Sequence, residues 1–102
     1  EGAKRAANES NGRIDKVTDE EILHAYKLIA RTEGIFVEPA CAAPLAGLIK
    51  SVQAGVIPDG SLVTATMTGH GLKDPDTAVE TAGFKPTVVA AEKDAVMGVI
   101  GL

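Results

Sequence analysis

The chain has 102 residues, of which 45% are hydrophobic, 24% charged and only 3% aromatic, and its formal net charge is −4. That length holds one small domain, and an acidic balance without a basic stripe or stacking rings argues against a nucleic-acid partner. A single cysteine, Cys41, excludes an internal disulfide and fits a reducing cytoplasm. The longest apolar stretch, residues 39–49, is far shorter than the about 20 residues that span a bilayer, so no membrane partner is expected.

The chain opens Glu1-Gly2-Ala3-Lys4 without a methionine and runs directly into a helical pattern. We expect from this a segment of a longer polypeptide. Residues 1–10 read as a helix with Ala3, Ala6 and Ala7 as its apolar face, and Gly12 is placed to end it in a left-handed conformation. Residues 13–17 offer at best a short strand around Ile14 and Val17.

Thr18-Asp19-Glu20-Glu21 is a capping box, in which hydroxyl and carboxylate can each satisfy the other residue's backbone N–H. Ile22, Tyr26, Ile29 and Ala30 then recur at helical spacing, and Gly34 stops the helix. The apolar run Ile35-Phe36-Val37 leads into Glu38-Pro39. A second amphipathic helix is expected over about 42–54, with Leu45, Leu48, Ile49 and Val52 inward, Pro44 in its first turn and Gly55 as its cap. Pro58-Asp59-Gly60 is a turn. The β-branched run 61–68 reads as a buried strand that feeds Gly69-His70-Gly71. Asp74 and Pro75 suit the cap and first position of a further helix or turn, residues 87–89 are extended, and a closing helix covers about 92–99.

This alternation predicts α/β layering with parallel strands and flanking helices over the single unit 1–102. Two or three strands make a poor parallel sheet, because both its faces must be covered, so more protein is expected around it.

The strand-to-glycine junction at 66–71 is the most informative segment. Ligands of open α/β sheets bind beyond the carboxyl ends of strands, and glycines there let the backbone come close to them. The Thr68 hydroxyl stands at that end, although a plain strand–turn–helix connection has the same appearance. His70 is a candidate acid or base, but without a Ser or Asp at triad spacing it reads as a loop histidine. His24 reads as solvated. Cys41 has no second thiol or partnered base and reads as a small buried hydrophobe. Glu38 is open to two readings, one holding a backbone amide and one facing the ligand crevice. The scattered histidines and cysteine supply no metal set.

Two segments resemble the threonine synthase family. Glu33-Gly34-Ile35-Phe36-Val37-Glu38-Pro39-Ala40-Cys41-Ala42-Ala43 is similar to its glutamate-proline stretch, and Thr68-Gly69-His70-Gly71-Leu72-Lys73-Asp74-Pro75 to its Thr-Gly-(Asn/His)-Gly-Leu-Lys-Asp-Pro signature. The resemblance implies the C-terminal part of the large domain of a tryptophan synthase β-like, fold type II pyridoxal-phosphate enzyme. It further implies conversion of O-phosphohomoserine and water to threonine and phosphate. Thr68 would be the cofactor-binding residue, donating to the pyridine nitrogen. No catalytic residue is expected here, because the family's catalytic lysine lies upstream and none of Lys4, Lys16, Lys27, Lys50, Lys73, Lys85 or Lys93 matches it. The segment alone would then be inactive. Its expected partners are the upstream remainder of the enzyme, a small-molecule substrate and, as an option, a second copy in a homodimer. Cys41 stands where serine is usual, and Pro44 is an unusual choice in that helix. The alternatives are a small α/β binding module acting alone and a piece of a related threonine dehydratase.

Overall fold

The computed structural model describes residues 1–83 and 86–101, so Lys85 of the sequence reading lies outside them. Among the described residues five α-helices follow in order: α1 (Gly2–Ser10), α2 (Asp19–Glu33), α3 (Ala43–Gln53), α4 (Pro75–Ala82) and α5 (Lys93–Ile100). Short 3-10 turns at Pro39–Ala42 and Gly71–Lys73 precede α3 and α4.

The helix ends follow from local chemistry. The capping box at the start of α2 forms as expected: the Glu21 N–H donates to Thr18 Oγ1 at 3.2 Å, and the Thr18 N–H to Glu21 Oε2 at 2.8 Å. Gly34 ends α2 at φ 67°. Pro44 sits in the first turn of α3, where its missing N–H costs nothing, and Gly55 follows the helix at φ 72°. Asp74 caps α4, its carboxylate accepting the Thr77 N–H at 3.2 Å and the Thr77 hydroxyl at 2.7 Å. These bonds, the hydroxyl one first, hold the Asp74 carboxyl below its ordinary pKa. One terminator differs from expectation. Asn11, not Gly12, takes the left-handed position after α1, at φ 54°, and the Gly12 N–H closes back onto the Ala7 carbonyl at 2.8 Å. Asparagine tolerates that conformation because its short polar side chain bonds locally.

The core lies where α2 crosses α3 and the segment between them. Its buried residues are Ala25, Tyr26 and Ile29 of α2, then Val37, Cys41 and Ala42, and Ala46 of α3. Alanines at 25, 42 and 46 let the backbones come close. Leu45, Ile49 and Ile22 pack around this centre as half-buried side chains, whereas Ala30 and Val52, both expected inside, are exposed. The Lys50 ammonium joins the two helices from the rim, 3.3 Å from the Glu21 carboxylate and donating to the Lys16 carbonyl at 3.3 Å.

The expected parallel strands are not seen: neither 61–68 nor 13–17 is a strand, and the apolar run 35–37 enters only a single bridge. Among the described residues the β pairing is one isolated antiparallel bridge, Val37 with His70. Residues 61–68 run without ladder partners, and Leu62 is 98% exposed. A strand exists only against a neighbour, and these residues have none among those described. The shape agrees: the radius of gyration is 18.8 Å, where a compact domain of this length has about 13 Å. No helix is long and apolar enough to cross a membrane among the described residues.

Candidate cofactor-facing site

The two motifs singled out by sequence meet at the Val37–His70 bridge. The Glu38 N–H donates to the Gly69 carbonyl at 2.9 Å, and the Gly71 N–H to the Phe36 carbonyl at 3.1 Å. Glu38 has extended backbone, and Pro39, with its fixed φ, opens the 3-10 turn that follows. The turn doubles the chain back so that the Cys41 N–H donates to the Glu38 carbonyl at 2.9 Å, which places Cys41 beneath the bridge.

There the Cys41 thiol reaches the other motif. Its Sγ lies 3.0 Å from Thr68 Oγ1 and 3.9 Å from Glu38 Oε2. Cys41 is buried at 8% exposure, whereas Thr68 is exposed. The threonine hydroxyl is thus held by a buried sulfur, on a residue that is itself exposed.

Both glycines of the junction stand in close approach to neighbouring side chains. A Cβ on Gly69 would strike Glu38 Oε2 and stand 3.0 Å from Cys41 Sγ. A Cβ on Gly71, which is buried, would enter the Phe36 ring. Phe36 in turn lies edge-on to His70 at 5.5 Å and tilted against Tyr26 at 6.5 Å. Burial, and next the negative charge of Asp74, push the Tyr26 hydroxyl above its ordinary pKa of 10.0.

His70 takes a structural part. Its Nδ1 accepts the Leu72 N–H at 3.1 Å and caps the turn that leads into α4. An accepting Nδ1 puts the proton of the neutral ring on Nε2. His24 is exposed, as expected. Glu38 sits against Gly69 and Cys41, so its backbone amide is tied while its carboxylate flanks the site. Among the described residues no cluster of three or more metal-ligating side chains occurs. Sequence reasoning singled out Thr68 and Cys41 separately but did not foresee their contact. Twenty-seven residues separate the two, and no local pattern encodes such a contact.

A family model described as "Pyridoxal-phosphate dependent enzyme" matches residues 2–69, which include Glu38, Cys41, Thr68 and Gly69. The chain is 53% identical over 93 residues to the threonine synthase of Halalkalibacterium halodurans, covering 91% of this chain and 26% of that protein. It is 50% identical over 102 residues to the threonine synthase of Bacillus sp. (strain ULM1), covering 96% and 29%. Against the threonine synthase of Mycobacterium leprae it is 52% identical over 94 residues, covering 92% and 25%. The chain therefore spans between a quarter and three tenths of the length of these relatives. With two thirds of its residues matched, the chain belongs to the family of pyridoxal-phosphate dependent enzymes.

Proposed function

We propose that this chain forms the pyridine-nitrogen side of the cofactor site of a threonine synthase, an enzyme that turns O-phosphohomoserine and water into threonine and phosphate. The observation that carries the reading is the hydroxyl of the exposed residue Thr68, held by Cys41 at the junction of both threonine synthase motifs. The residues suit the cofactor. Thr68 has one O–H to donate, Gly69 keeps the backbone beside it free of a side chain, and Phe36 with Gly71 fixes the loop that follows.

When bound, pyridoxal phosphate supplies an electron sink for chemistry on the carbon skeleton of an amino-acid substrate. Thr68 binds and orients the ring by donating its hydroxyl proton to the ring nitrogen. A neutral donor leaves that nitrogen unprotonated, whereas a carboxylate there would stabilise a pyridinium and a stronger sink. The lysine that anchors the cofactor, its phosphate cradle and the phosphate-bearing substrate's contacts belong to the remainder of the enzyme. The segment by itself is inactive on this reading.

The test is made on the full-length protein encoded with this segment. The wild type is expected to carry the absorbance of bound cofactor and to release phosphate and threonine from O-phosphohomoserine. Thr68→Val, which removes the donor at nearly constant volume, is expected to lower the rate about tenfold or more, while Thr68→Ser keeps most of it. Formation of a 2-oxo acid from threonine, with no use of O-phosphohomoserine, would assign the chain to a dehydratase instead. A native product no larger than this chain would overturn the reading in favour of an independent module.

A further inference from the structure

Thr68 must do two things if it serves a ring nitrogen: donate its only proton outward, and keep its rotor from turning inward. A hydroxyl carries one O–H and two lone pairs, so both are met when an inner group donates to it. The inner group in this structure is the Cys41 thiol, 3.0 Å from Thr68 Oγ1. The contact can run in either direction. With Thr68 donating to sulfur, its proton faces inward and is lost to the cofactor; with the thiol donating to Thr68, the proton is free to face outward. Glu38 Oε2, 3.9 Å from the same sulfur, is the competing acceptor for the thiol proton.

Resting on the cofactor-site reading above, we propose that Cys41 is a positioning residue whose S–H donates to Thr68 Oγ1 and so aims the threonine proton at the pyridine nitrogen. The chain Cys41 S–H to Thr68 O–H to ring nitrogen runs in one direction only, and each donor in it polarises the next. No covalent bond is made or broken and no proton leaves its atom. Burial of Cys41 keeps water from replacing it as the inner donor, and its anchorage is double. The Cys41 N–H is tied to the Glu38 carbonyl, and Glu38 is tied to Gly69 next to Thr68. The sulfur and the hydroxyl therefore sit on segments stitched together one residue from Thr68 and three from Cys41.

The test uses the full-length enzyme loaded with pyridoxal phosphate labelled with 15N in the ring, and reads the ring-nitrogen chemical shift beside the cofactor dissociation constant. Cys41→Ala is expected to move the shift downfield, towards a nitrogen with a weaker donor, and to raise the dissociation constant by about threefold to tenfold. Cys41→Ser, which restores an inner donor, is expected to return both towards the wild type, and Thr68→Val to give the larger change. If Thr68→Val moves the shift while Cys41→Ala leaves it unchanged, the positioning role is wrong and the cofactor site stands. If Cys41→Ala and Cys41→Ser move it equally, sulfur acts through packing alone and the proposal fails. If Thr68→Val has no effect on the shift, the cofactor-site reading fails and takes this one with it.

Discussion

Gly71→Ala is the sharpest test of how the junction is built. Gly71 is buried, and its φ is not in the left-handed region, so an added methyl is opposed by space alone. That methyl would fall on the Cδ2, Cε2 and Cζ atoms of Phe36, far inside ordinary van der Waals contact. The ring has little room to withdraw, because Tyr26 stands 6.5 Å from it and His70 5.5 Å, centre to centre. Overpacking of this kind costs about 1–3 kcal/mol, and weakening the two ring pairs adds about 0.5–1.5 kcal/mol each. We expect a loss of about 2–6 kcal/mol in the urea unfolding of the full-length protein. In a Phe36→Leu background, where the edge of the ring is gone, the same substitution should cost at least about 1 kcal/mol less. A loss under about 0.5 kcal/mol, or equal losses in both backgrounds, would refute the argument that Phe36 dictates a glycine at 71.

Two further outcomes are expected. The Glu21 carboxyl is held below its ordinary pKa of 4.5, first by the Thr18 backbone N–H and then by Lys50. Because the folded value is the lower one, its contribution to stability is complete above about pH 4.5 and is lost as pH falls through the folded pKa. The urea midpoint difference between wild type and Glu21→Gln should therefore shrink on acidification, and a difference constant from pH 7 to 3 would contradict this. Gly34→Ala should lower stability by about 1–2 kcal/mol, because φ is 67° although nothing lies within 4 Å of the new Cβ; an unchanged urea midpoint would show that the left-handed turn can relax.

The parts legible in the sequence are those encoded by neighbours. The Thr18–Glu21 box, the glycine stops at 34 and 55 and the Asp74–Pro75 start of α4 depend on residues within four positions of one another, and all of them form. The inward faces were legible only in part. The periodicity of α2 picked Tyr26 and Ile29 correctly, but the wholly buried residue is Ala25, chosen by how closely α3 and the 38–42 turn approach. The β-branched run at 61–68 announced a strand and not its partners, since composition sets the preference for an extended chain while a neighbour must supply the ladder. The two motifs were legible only as separate segments, and the structure joins them at the Val37–His70 bridge. The contact of the Cys41 sulfur with Thr68 was not legible, because cysteine in an apolar context looks the same whether it fills space or holds a hydroxyl.

The placement of charge around Thr68 gives the junction its logic. Glu38 is the carboxylate within reach of the site, and beside a pyridine nitrogen it would favour the protonated ring that a neutral threonine avoids. The N–H of Glu38 is fixed on the Gly69 carbonyl, its Oε2 lies over the space that a side chain at 69 would occupy, and its neighbour on the Thr68 side is the Cys41 thiol. Gly69 thus serves as more than a place for close approach. By leaving that space open it gives the carboxylate somewhere to rest, and any side chain there would force Glu38 to a new position. The Cys41 sulfur contacts both groups, 3.0 Å from the Thr68 hydroxyl and 3.9 Å from the Glu38 carboxylate, and so couples the position of one to that of the other.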